Sequence, residues 1–256
     1  MFAKLDLKKL TITSLTLIVL SATFSLCTPA MASAGMTQWS TTSILYQYGT
    51  SFELGDENRS LMTFEHANGW TYGDNFFFFD VENAERDGDS TQTNLYGEFS
   101  PRLSAGKILK KDLSFSIVKD VLLAGTIEMG SGFHNYLYGV GFSLNIPKFS
   151  YFDLNVYIRD NQNQSGTTYQ ITPVWGLPFN LGPLKMLFEG FADIAGEEGD
   201  NSSNIDFQPR LFVDVGNFWG TPDSLFVGTE YIYWHNKYGI KGLNEHNATL
   251  AVKWTF

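Results

Sequence analysis

Cysteine is almost absent: Cys27 stands alone among 256 residues. Beyond residue 34 the chain therefore offers no disulfide staple, thiolate metal site or cysteine nucleophile. Positive charge is scarce too, with 17 Lys and Arg against 27 Asp and Glu and a net charge of −10. A chain this acidic does not hold nucleic acid on a basic patch. Long apolar runs are missing after residue 34, where no segment supplies the roughly 20 apolar residues of a spanning helix. Membrane residence then requires a closed barrel, the other architecture that satisfies every backbone polar group in lipid. The four histidines, His66, His134, His235 and His246, have no metal-ligand spacing, and no Gly-rich phosphate loop appears. No cofactor is expected.

The beginning of the chain reads as an address. Lys4, Lys8 and Lys9 precede an apolar run from Leu10 to Leu26, and Ala30, Ala32 and Ala34 follow. That order predicts a secretory signal peptide over residues 1–34, cleaved after Ala32 or Ala34. Its removal takes away Cys27 and moves the net charge to −12, because Lys4, Lys8, Lys9 and Asp6 leave with it. Residues 35–256 are then expected to form a single domain.

Aromatics are abundant, 22 Phe, 12 Tyr and 6 Trp, and their placement is informative. In the last ten residues Ala248, Leu250, Val252, Trp254 and Phe256 alternate with Asn247, Thr249, Ala251, Lys253 and Thr255. A strand sends successive side chains to opposite faces. One face is thus apolar and ends in aromatics, as on the lipid side of an outer-membrane barrel. Twelve such alternating segments can be read. They are Ser43–Leu54, Arg59–Ala67, Trp70–Ala84, Gln92–Leu103, Phe115–Glu128, Tyr136–Ile146, Phe152–Arg159, Thr167–Leu177, Leu184–Ile194, Ile205–Val215, Leu225–His235 and Asn247–Phe256. Asn68-Gly69 is a two-residue hairpin signal, Gly130 to Asn135 reads as a loop, and Pro178 to Pro183 as a compact turn. With both termini periplasmic, the outer loops include the acidic stretches Glu85 to Ser90 and Gly196 to Asn204. The expected fold is all-β, a transmembrane antiparallel up-and-down barrel of about twelve strands. Its expected surroundings are outer-membrane lipid and lipopolysaccharide, with the assembly machinery reading Asn247–Phe256.

Several fragments point to one family. Ser100-Pro101-Arg102-Leu103-Ser104 and then Lys111-Asp112-Leu113-Ser114-Phe115 resemble the signature of the Tsx-like nucleoside-specific outer-membrane channels, a group that takes in a phage-receptor porin of vibrios. Phe76 to Asn83 with Asp80 inside it, Leu154 to Tyr157, and Tyr233-Trp234-His235 are similar to further strands of that family. The resemblance implies a monomeric 12-stranded barrel whose narrow lumen passes nucleosides and similar small solutes.

Periodicity by itself selects the inward positions. They are Asp74, Phe76, Phe78, Asp80 and Glu82; Tyr96, Glu98, Ser100 and Arg102; Asp153, Asn155, Tyr157 and Arg159; Asp206, Gln208, Arg210, Phe212 and Asp214; Phe226, Glu230 and Trp234; and Lys253. The candidate lumen-binding residues among them are Phe76, Phe78, Asp80, Tyr96, Glu98, Arg102, Tyr157, Arg159, Asp206, Arg210, Glu230 and Trp234. Aromatic faces would stack a flat base and the polar groups would hold ribose hydroxyls. The competing reading is that the charges simply pair across a narrow barrel to avoid unpaired burial.

Two other functions fit such a barrel. One is a surface receptor or adhesin whose outer loops phage or host factors recognise. The other is a lipid-modifying enzyme, which needs a nucleophile and a base in hydrogen-bond reach. His134 is followed by Asn135-Tyr136, without the serine two residues on that barrel deacylases carry. The sequence therefore favours a non-enzymatic channel.

Overall fold

Every strand follows from the two-residue period, and the pairing turns that period into a closed wall. The computed structural model describes residues 36–83 and 93–256, so the expected leader and the acidic stretch Glu85 to Ser90 lie outside the described residues. Residues 38–256 form one unit. Twelve strands are present: β1 Thr37–Gly49, β2 Arg59–Trp70, β3 Gly73–Asn83, β4 Thr93–Ser104, β5 Val118–Gly130, β6 Phe133–Leu144, β7 Tyr151–Asn161, β8 Thr168–Leu181, β9 Leu184–Ala195, β10 Asn204–Asp214, β11 Leu225–His235 and β12 Glu245–Thr255. A short helix, α1 (Ala105–Leu109), sits between β4 and β5. Each strand neighbours the next in sequence, and β12 closes antiparallel onto β1 with Ser43 opposite Thr255 and Tyr48 opposite Leu250. Closure leaves no free sheet edge in the bilayer.

The two faces of the wall are inverted relative to a soluble protein. Tyr46, Leu95, Leu123, Tyr138, Ile158, Leu250 and Trp254 are exposed on the outside, whereas Gln47, Thr63, Glu128, Asn155, Glu230 and Thr249 are buried on the inside. That inversion is what lipid outside and a polar lumen inside demand. The interior is not uniformly polar. Leu45, Phe212, Phe226 and Ala251 form a buried apolar cluster on the inner wall of β1, β10, β11 and β12, with Leu187 of β9 packed against it. A second cluster joins Ala124, Leu137 and Tyr157.

Several expected boundaries move. Asn68 and Gly69 do not turn the chain; they pair with Asn75 and Asp74 inside the β2–β3 ladder, and the turn lies at Thr71 and Tyr72. Gly69 serves space instead: the Trp39 indole lies so close that a Cβ there would stand 2.1 Å from Nε1. The expected loop from Gly130 to Asn135 shrinks to residues 131–132, and Phe133 begins β6 opposite Gly130. Pro178 likewise pairs with Leu187 inside β8, leaving only Gly182 and Pro183, with Gly182 at φ 59°, to make the turn. Phe179 and Leu181 are exposed and extend the outer apolar row, which carries the strand past the proline. At the other end of β1, Phe52 and Leu54 leave the ladder, and Phe52 is buried beneath the Arg59 guanidinium, 4.6 Å from its ring centroid.

Candidate functional site: the lumen wall

All twelve candidate binding residues occupy inward positions, as the registers show: Phe78 lies opposite Glu98, Asp80 opposite Tyr96, and Arg210 opposite both Glu189 and Glu230. They fall into two groups that the sequence could not separate.

The first group is tied into the wall. Arg210 Nε donates to Glu230 at 2.5 Å, and its Nη1 reaches Glu65 at 2.6 Å. Because Glu65 belongs to β2 and Arg210 to β10, this contact spans strands that are not neighbours. Lys253 adds Glu189 at 2.6 Å, and Gln47 donates to Glu230 at 2.7 Å. Arg102 makes a bidentate contact with Asp74 (2.7 and 3.1 Å) and reaches from β4 to Asp153 on β7 at 3.0 Å. Arg159 holds Glu128 through both terminal nitrogens at 2.6 Å and also donates to Gln170. Such charge-assisted, two-toothed pairs are the strong ones, and they answer the cost of burying each ion. Tyr157 is buried against Ala124 and Leu137 and cannot present its ring to a solute. Trp234 is covered by the β11–β12 connection: the Tyr238 ring lies 4.5 Å away, and Lys237 Nζ stands 5.0 Å over the indole while pairing with Glu245. Asp206 is buried and accepts both its bonds from the neutral Gln208.

The second group keeps surface on the lumen. Phe76 retains 38 % of its exposure, and Phe78, Asp80, Tyr96 and Glu98 are half-buried. Ring centroids run Phe76 to Phe78 at 5.9 Å, Phe78 to Tyr96 at 5.8 Å, and Tyr96 to Phe133 at 6.2 Å. The result is a continuous aromatic ladder across β3, β4 and β6, spaced as interacting rings are. Carboxylates flank it: Asp80 accepts from Thr63 at 2.6 Å and Glu98 from the Tyr96 hydroxyl at 2.5 Å, each bonded to a neutral partner.

Sequence reading missed Phe133, Glu65, Glu128, Glu189 and Asp193. Counting back by twos from Asn135 would have placed Phe133 inward, but the glycines at 130 and 132 disguised the start of that strand. Glu65 shares its row with Thr63 and Ala67 and was accessible to the same count. Asp193, held by Gln170 and Thr172, sits in a segment whose inward row reads Leu187, Glu189, Phe191, Asp193, too mixed to declare its face.

The model of the family described as "Nucleoside-specific channel-forming protein, Tsx" matches residues 34–254. The chain belongs to that family. Among curated relatives, this Tsx-family chain is 27 % identical over 184 residues to outer membrane protein OmpK of Vibrio parahaemolyticus, covering 69 % of each. Among solved structures, the KdgM porin in complex with disordered oligogalacturonate superposes with a TM-score of 0.50 at 12 % identity, over 84 % of this chain and 99 % of that one. At that identity the likeness bears on the fold alone. A closed 12-stranded barrel of the Tsx family with an apolar exterior is an outer-membrane channel of a bacterium.

Proposed function

We propose that this Tsx-family channel passes nucleosides by passive diffusion along the wall formed by β3, β4 and β6. The observation that supports it is the ladder Phe76–Phe78–Tyr96–Phe133 with Asp80 and Glu98 beside it. A nucleobase gains about 1–3 kcal/mol per aromatic stack in other base-binding proteins. Several equivalent rings in succession let a base step from one to the next, so no single site holds the solute too long to leave. The carboxylates of Asp80 and Glu98 accept hydrogen bonds, which suits the hydroxyls of a ribose. The opposite wall, around Leu45, Phe212 and Phe226, is filled by its own packing.

Liposome swelling with the purified protein tests the reading. Adenosine is expected to enter faster than a sugar of similar size, and Phe76→Ala/Phe78→Ala to reduce that preference several-fold while sugar entry stays close to wild type. Equal rates for the two solutes in the wild type would overturn nucleoside preference and leave a general channel.

A further inference from the structure

Outside the lumen, acidic side chains gather at one end of the barrel and unpaired lysines mostly at the other. On the rim that carries neither terminus stand Glu53, Asp56, Glu57, Asp160, Glu197, Glu198 and Asp200. On the rim that carries Phe256, the connection between β4 and β5 and the turn between β6 and β7 form one sector. They are joined because Asn145 donates to the Ile117 carbonyl at 2.7 Å. Lys110, Lys111, Lys119 and Lys148 are all exposed there, and none is paired with any described residue. Two carboxylates share the sector. Asp120 is consumed internally by Ser104, by the Gly106 amide at 3.3 Å and by the Val121 amide at 2.9 Å. Asp112 accepts from the Ser114 amide at 2.9 Å.

The lysines stand on a built platform. Ser104 caps α1 by accepting from the Lys107 amide at 3.0 Å. Lys107 Nζ crosses to the carbonyls of Trp70 and Gly73 at 2.9 and 3.1 Å, pinning the connection to the β2–β3 turn. Between the lysines the platform exposes Ile108, Leu109, Phe115 and Ile117, with 47–58 % of each surface uncovered. Lys119 sits in the register shift between Val118 and Asp120, and the outward row of β5 starts just beyond it with Val121 and the exposed Leu123, so the charge lies at the foot of the lipid-facing wall. Apolar side chains at the acyl boundary with ammonium groups extending from it are how a protein surface engages the interface of an anionic membrane.

We propose that this sector, Lys110, Lys111, Lys119 and Lys148 around Ile108 and Phe115, binds the phosphate headgroups of anionic phospholipid in the periplasmic leaflet. The charge is complementary, the apolar side chains match the depth of the headgroup–acyl boundary, and the rim that carries the chain ends is the periplasmic one in outer-membrane barrels. Each lysine near such a surface contributes up to about five-fold in partitioning.

Native mass spectrometry of the folded full-length channel in mild detergent, with equimolar phosphatidylglycerol and phosphatidylethanolamine added, tests this. The wild type is expected to retain phosphatidylglycerol several-fold over phosphatidylethanolamine. Lys110→Gln/Lys111→Gln/Lys119→Gln/Lys148→Gln is expected to bring the ratio close to one, with heat-modifiable mobility on gels reporting that the barrel still forms. Lys241→Gln, on the opposite rim, is expected to keep the wild-type ratio. Equal retention of both lipids by the wild type, or an undiminished preference in the quadruple variant, overturns the proposal. Should the quadruple variant fail to fold, Lys148→Gln/Lys119→Gln carries the same test with a smaller expected drop. Nucleoside preference is read by swelling and can fail independently.

Discussion

Arg210 joins strands that lie far apart in the sheet: its guanidinium takes Glu65 from β2 and Glu230 from β11, with Glu189 of β9 at 3.8 Å. All four side chains are buried or nearly so. Removing one partner of a buried ion pair strands the other, at a cost of about 3–5 kcal/mol. Arg210→Gln is therefore expected to lower the stability of the folded barrel by an amount of that order, measured as the urea midpoint of tryptophan fluorescence in micelles. Glu65→Gln introduced on top of it is expected to return part of the loss, since one uncompensated carboxylate is then gone. Periodicity alone placed Arg210 and Glu230 inward. Their choice of partners was not legible, because Glu65 is 145 residues away in sequence and only closure of the barrel brings it within reach. The same holds for Arg102, which looked like a candidate for a solute and is instead saturated by Asp74 and Asp153.

Among the elements, the glycines of the inner rows decide how closely strands and rings approach. Gly139 faces the lumen opposite Tyr157, and a Cβ there would fall 1.9 Å from the Val156 carbonyl oxygen, a backbone atom that cannot step aside. Gly139→Ala is expected to be destabilised by about 1–3 kcal/mol, as overpacked sites are, and to give less heat-modifiable folded protein. Gly125→Ala is the control: its added Cβ meets nothing nearer than the Leu137 carbonyl at 3.7 Å, so folding should be unchanged. Other glycines accept a ring from a neighbouring residue, as Gly130 does from Phe133 and Gly176 from Tyr151. This use of glycine is why the turn signals at Gly69 and Gly130 misled. A glycine in a strand marks a close approach as readily as a turn, and the ring that fills the space cannot be seen until the strands are paired.

For the whole molecule, the balance of lumen charge sets which ions pass. Arg59, Arg102, Arg159, Arg210 and Lys253 are each engaged by a carboxylate. Among the described residues Asp80, Glu98, Asp193 and Asp206 have only neutral hydrogen-bonding partners. Even without counting those four, Glu65, Glu189 and Glu230 share two cations, and Asp74 and Asp153 share one. A narrow passage with this excess favours cations over anions. In a planar bilayer under a KCl gradient the reversal potential is expected on the potassium side. A reversal potential on the chloride side would refute this charge balance.

The amino-acid sequence by itself determined the wall. Alternation with period two, an apolar row ending in aromatics, and no helix-length apolar run after residue 34 leave a closed barrel as the membrane solution, and the family signature lies along the same strands. These features are local, so they are written residue by residue. What only the tertiary structure decided is which inward side chains are tied into the wall and which keep exposed surface. Closure spends Arg102, Arg159 and Arg210 on distant carboxylates, buries Tyr157 and covers Trp234, while leaving Phe76, Phe78, Tyr96 and Phe133 as one partly exposed ladder. That division depends on distances across the lumen, and the distances exist only once β12 has met β1.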